Sequence, residues 1–150
     1  MRTIYRSTVF DAPVATVWSI IRDFNDWPRW LPIIGSSEIE DGLPSNAVGC
    51  VRTLRLPPEG LARERLLALD DHTHTITYAV EETTSVAMRD YVATIRLHAV
   101  TDGDRTFAEW SGSFDAAPED EPEIAQMVGT RVYESGLAGI RERLRALAAG

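Results

Sequence analysis

EDEPEIAQMVGTRVYESGLAGIRERLRALAAG, residues 119–150, has the period of one long helix with two unlike sides. Tyr133, Leu137, Ile140, Leu144 and Leu147 recur at steps of four and three. Gly129, Val132 and Gly136 fall on that same face, while Arg131, Glu134, Arg141, Glu142 and Arg145 take the other. Asp120 followed by Glu123 has the pattern of a capping box, and Pro122 falls in the first turn, where a missing N–H matters little. Glu119, Asp120, Glu121 and Glu123 crowd the positive end of the helix dipole. A glycine inside a helix costs about 1 kcal/mol against alanine. Gly129 and Gly136 therefore mark a face that something approaches closely, either a ligand or a packed neighbour.

Working outward from this helix, the chain before it reads mostly as strands. Residues 3–10 alternate and are rich in β-formers. Asp11-Ala12-Pro13 starts a short helix carrying Val14, Val17, Trp18 and Ile21. The segment from Phe24 to Ile34 holds Trp27, Pro28, Trp30, Leu31 and Pro32, and its prolines limit it to a turn or short helix. Strands are then expected over about residues 37–40, 48–56, 61–69, 75–80, 89–100 and 105–114. Asp41-Gly42, Pro57-Pro58-Glu59-Gly60, Asp70-Asp71 and Asp102-Gly103-Asp104 supply the turns. Short connections imply an antiparallel meander. The expectation is an α+β domain over residues 1–150: a seven-stranded curved antiparallel sheet, two short helices after the first strand, and a long final helix. At 1.5 Å per residue that helix is about 45 Å long, enough to lie across the sheet. A curved sheet gripping a helix tends to leave a ligand-sized space between them.

Composition narrows the partners. The net charge of -8 argues against a nucleic-acid backbone or an anionic membrane surface. All fifteen basic residues are arginine, so no Schiff-base lysine exists. A single cysteine, Cys50, excludes an internal disulfide and a cysteine-rich metal site. Residues 1–10 have neither the charge nor the apolar run of a signal peptide or membrane span, so the expected compartment is the cytoplasm. No cofactor fingerprint is present. Oligomeric state is open, with a homodimer through the Trp27–Ile34 turn one option.

Several local strings carry a family resemblance: Asp11-Ala12-Pro13, Val17-Trp18-Ser19-Ile20, Asp23-Phe24, Trp27-Pro28-Arg29-Trp30, Val48-Gly49-Cys50-Val51-Arg52, Glu64-Arg65-Leu66, Asp70-Asp71 and Tyr91. In this order, over the whole chain, they resemble the START-like superfamily (SRPBCC), the helix-grip fold of polyketide cyclase/dehydrase proteins. The local match extends to the plant abscisic-acid receptors, but the hormone-binding features are changed. Leu31 stands where the receptors carry a lysine that pairs with the hormone carboxylate. Leu56-Pro57-Pro58-Glu59-Gly60 replaces their gate loop, and Val86-Ala87-Met88-Arg89 keeps only the arginine of their latch. The resemblance therefore implies a small-molecule cavity without a hormone-receptor function. It implies a lining drawn from Leu31, Leu56, Ala62, Glu64, Tyr78, Val80, Tyr91, Ala93, Val128, Val132 and Gly136.

Strand alternation tests that lining. Leu56 shares a face with Arg52 and Leu54; Ala62, Glu64, Leu66 and Ala68 share another; Ile76, Tyr78 and Val80 a third. Glu64 is thus a carboxylate in an apolar row. Left alone there, its pKa would rise and it would suit acid/base work. Paired with Arg52, which hairpin geometry puts opposite, it would instead be a buried ion pair that anchors a ligand. Tyr78, Tyr91 and Tyr133 each suit a cavity that orients one oxygen, or a core tyrosine bonded within the protein. Trp30 and Trp110 read as core or as cavity wall. His72 and His74 lie on a hairpin tip without convergent ligands, and His98 sits on the polar side of its strand, so no metal site is expected. Three functions remain. One is polyketide cyclase, aromatase or dehydratase chemistry using Glu64, Tyr78 and Arg52. The second is a carrier or sensor of a polyketide-, isoprenoid- or lipid-like molecule. The third is a solid-cored protein acting through its surface.

Overall fold

The computed structural model describes residues 1–150. Seven antiparallel strands form one sheet: β1 (Arg2–Phe10), β2 (Ser36–Ile39), β3 (Val51–Leu56), β4 (Gly60–Asp70), β5 (Thr75–Thr83), β6 (Arg89–Val100) and β7 (Arg105–Asp115). Their order is β1-β7-β6-β5-β4-β3-β2, so β2 to β7 form a meander and β1 closes against the last strand. Helix α1 (Val14–Ile21) and a 3-10 turn (Trp27–Arg29) cross between β1 and β2. The C-terminal helix runs as α2 (Glu121–Met127), a π-helical segment (Val128–Glu134) and α3 (Ser135–Ala149). This is the helix-grip architecture expected from the chain's patterning.

Local departures have identifiable causes. Strand β3 begins at Val51 rather than Val48, because Gly49 takes φ +96° and makes the pairing irregular there, with Leu66 bonded to both Gly49 N–H and Cys50 O. On β4, Leu66 faces Tyr78 and Ala68 faces Thr77, leaving Leu67 as an extra residue. This bulge reverses the strand's alternation, so Ala68 is exposed and Leu69 packs against the core. Helix α1 is preceded by Pro13 in an extended conformation, and Asp11 does not cap it. The expected capping box is also absent. Asp120 is itself in a helical conformation, since the backbone N–H groups of Asp120 and Glu121 bond to Ala117 O in a preceding turn.

The helix glycines answer to packing. A Cβ on Gly136 would lie 2.7 Å from Trp110 Cζ3 and 3.1 Å from Leu31 Cδ1, and one on Gly129 would meet the Arg6 guanidinium. Side chains of the protein, not a ligand, make the close approach. Arginines also guard the open side of β1. Arg6 donates to Tyr5 O at 2.9 Å and Arg141 to Val9 O at 3.4 Å. In the Trp27–Ile34 turn, Trp27, Trp30, Leu31 and Ile34 are all buried in the chain's own core.

Candidate functional site

The antiparallel register of β3 and β4 sets Arg52 directly opposite Glu64. The Arg52 side chain is 1% exposed and that of Glu64 12%. Arg52 donates to Glu64 Oε1 through Nη2 at 2.6 Å and Nε at 3.0 Å, and through Nη1 to Phe24 O at 2.6 Å. The guanidinium carbon stands 3.8 Å from the Phe24 ring centroid and 4.0 Å from that of Trp27. A buried arginine is tolerable only with such charge-assisted bonds and aromatic faces. Of the two readings of Glu64, the paired one describes the structure. Both bonds fall on Oε1, so Oε2 is left without a hydrogen-bond partner on a residue that lines the cavity.

Beside the ion pair runs a chain of hydroxyls. Trp110 Nε1 donates to Tyr78 Oη at 3.2 Å, Tyr78 Oη is 3.5 Å from Tyr91 Oη, and Tyr91 Oη is 2.7 Å from Tyr133 Oη. Burial pushes Tyr78 and Tyr91 well above the ordinary phenol range and raises Tyr133 as well. All three are phenols at neutral pH. Tyr78 and Tyr91, which line the cavity, can donate to and polarise a ligand oxygen, but none of the three is a base.

The ion pair, Tyr78 and Tyr91 face a cavity of about 690 Å³ between the sheet and the C-terminal helix. That volume lies in the range of small-molecule sites. Arg52, Glu64 and Tyr78 line it, as do Leu31, Leu56, Ala62, Val80, Tyr91, Val128 and Val132, all named from the sequence. The mouth is framed by the β3–β4 turn (Pro57, Pro58, Glu59), the β5–β6 connection (Thr83 to Val86) and the helix.

Trp30, Ala93, Trp110, Tyr133 and Gly136 do not line the cavity. Four aromatics instead form a solid block: ring centroids are 4.9 Å apart for Trp27–Trp30, 6.0 Å for Trp30–Trp110 and 4.5 Å for the stacked Trp110–Tyr133. Gly136 makes room for this block, and Ala93 lies beneath it, next to Gly112. The Trp30 indole N–H is buried there without a hydrogen-bond partner. Only Trp27 belongs both to the block and to the cavity wall.

Sequence reasoning missed Arg131. A regular wheel sends it to the solvent side, and it is exposed, but it also borders the cavity. It lies in the π-helical segment, in which bonds span five residues and each residue turns the chain less than in an α-helix. Wheel periodicity carried no signal for this change of phase. Pro58, Glu59 and Met127 also line the cavity beyond the expected set.

The histidines lie elsewhere. His74 packs edge-on against Trp18, whose Nε1 donates to Asp71 Oδ1 at 2.7 Å. His98 Nε2 is 2.6 Å from Glu109 Oε2, and Tyr5 donates to the other oxygen at 3.0 Å, so His98 is partnered rather than simply solvated. No three His, Cys, Asp or Glu side chains converge as metal ligands. No helix is long and apolar enough to cross a membrane.

Solved structures share this arrangement. A protein from Nitrosospira multiformis is 32% identical, with 94% of each chain covered and a TM-score of 0.78. The protein XoxI from Bacillus cereus is 28% identical over 99% of each chain, with a TM-score of 0.85. A START superfamily protein from Mycobacterium smegmatis shares the fold at 15% identity, covering 97% of this chain and 98% of its own, with a TM-score of 0.79. No curated protein matches the chain significantly. Residues 1–145 match the family model described as polyketide cyclase / dehydrase and lipid transport. With the curved sheet, the gripped helix and the cavity between them, the chain is a member of that family.

Proposed function

We propose that this protein binds a small apolar or aromatic molecule, polyketide-, isoprenoid- or lipid-like, in the cavity between sheet and helix. The observation that carries this is a 690 Å³ space with mostly apolar walls and one polar corner, built from Arg52, Glu64 and Tyr78. The apolar walls supply affinity, and the polar corner fixes orientation by hydrogen bonds that cannot be traded for water. In this reading the Arg52–Glu64 pair is an anchor for one ligand oxygen or N–H, and the protein is a carrier or sensor.

A second reading, cyclase- or dehydratase-type catalysis, is favoured by a specific feature. Glu64 Oε2 has no hydrogen-bond partner, and the protonated Tyr78 hydroxyl lines the same cavity as a donor. Glu64 would accept the proton from carbon while Tyr78 polarises the carbonyl whose enolate forms.

A thermal-shift screen against polyketide, isoprenoid, flavonoid and fatty-acid panels tests both readings. A ligand at 100 times its Kd contributes about 2.7 kcal/mol, or about 5–10 °C in a chain of this size. Val132→Trp, which puts a large side chain into the cavity, is expected to abolish the shift. A hit that survives this substitution refutes cavity binding. Conversion of the hit by the wild type but not by Glu64→Gln selects catalysis, and recovery of unchanged compound selects carriage.

A further inference from the structure

The mouth of the cavity carries a charge that nothing in the protein uses. Two arginines line the cavity. Arg52, at the inner corner, has its charge met by Glu64 and also bonds to Phe24 O. Arg131, on the π-helical segment, is exposed and makes no ion pair or hydrogen bond. Its nearest acid along the helix, Glu134, is held by Arg6 at 2.8 Å. The other charges on the wall are Glu64, neutralised by Arg52, and Glu59 on the facing turn, which forms no salt bridge with Arg131. The chain carries a net charge of -8, so its overall field does not favour an anion. An unpaired guanidinium at the opening is the local exception, with the fork geometry that matches a carboxylate.

We propose that the ligand is an amphipathic acid whose apolar body fills the cavity and whose carboxylate sits at the mouth on Arg131. This rests on the cavity-binding reading above and adds the chemical class and orientation of the ligand. The inner corner supports the same orientation. The unpartnered oxygen of Glu64 can only accept, so it suits a hydroxyl or N–H and offers nothing to a carboxylate, and the acidic end faces outward.

The test is competition against N-phenyl-1-naphthylamine, a neutral probe that fluoresces in apolar sites. The competitors are dodecanoate, below its micelle concentration, and methyl dodecanoate, which share one apolar chain and differ in charge. In wild type the acid is expected to bind about five-fold tighter than the ester, the upper range for a partly exposed ion pair. That preference should shrink as salt is raised. In Arg131→Gln the order should reverse, because the carboxylate must then lose hydration without a partner. Equal binding of acid and ester by wild type, or a ratio unmoved in Arg131→Gln, overturns the proposal. Failure of both competitors to displace a bound probe overturns it too, while cavity binding stands. Failure of the probe itself to bind overturns both readings.

Discussion

Replacing Glu64 by leucine strands the Arg52 guanidinium inside the protein. Breaking one side of a buried ion pair costs about 3–5 kcal/mol, because the remaining charge stays desolvated. Here the remaining charge is 1% exposed but not bare. It keeps the Phe24 carbonyl at 2.6 Å and the faces of Phe24 and Trp27 at 3.8 and 4.0 Å. Those aromatic faces are worth about 0.5–2 kcal/mol, which puts the expected loss near the lower end, about 3 kcal/mol. In a chain of this size that lowers Tm by about 6–12 °C. Urea is the suitable denaturant, since guanidinium is itself a salt and would screen the interaction. The midpoint should fall with the slope unchanged. The double substitution Arg52→Met/Glu64→Leu removes both charges and fills the space with apolar groups, so it should return to within about 1 kcal/mol of wild type. A single substitution costing less than about 1 kcal/mol would refute the reasoning. So would a double variant no more stable than the single one, because the loss would then come from packing.

Two further outcomes follow from other parts of the molecule. Gly136→Ala gains about 1 kcal/mol of helix propensity but places a methyl 2.7 Å from the Trp110 ring, so a net loss of about 1–3 kcal/mol is expected from thermal unfolding. The second concerns acid. Hydrogen bonds from Arg63 and Thr53 hold the Glu40 carboxyl down at about 2, and those from Arg22 and Trp18 hold Asp71 at about 2. A depressed folded pKa contributes stability that is present above the unfolded value and lost as pH falls through the folded one. The stability gap between wild type and Arg63→Gln should therefore be constant above about pH 5 and shrink toward about pH 2, as read from urea midpoints.

The strands and their pairing were legible because alternation and turn residues act locally. Arg52 opposite Glu64 follows from the sequence, since a short turn fixes hairpin register. The inner corner of the site was therefore readable, including its two possible states. Ala68 falls off the face expected for it because the bulge at Leu67 is a property of the paired strands, not of β4 alone. Arg131 was lost because a wheel assumes one angle per residue, and the π-helical segment departs from it. Trp30, Trp110 and Tyr133 could not be divided between wall and core by type, since an aromatic ring suits both equally. Only the positions of Trp27 and Gly136 decide where the packed block stops and the space begins.

The arginines along β1 bear on how this molecule lives at high concentration. An open sheet has two edges, and each is a template on which another chain can add a strand and start an aggregate. One edge here is β2, four residues long and too short to offer much purchase. The other is β1, nine residues with Tyr5 and Val9 on its exposed face, which would otherwise be an adhesive surface. Arg6 and Arg141 occupy its carbonyls at Tyr5 and Val9, the groups an incoming strand would need. Arg6 is held in turn by Glu134, and Arg141 extends from α3. The helix that closes the cavity thus also keeps neighbouring copies from stacking onto the sheet.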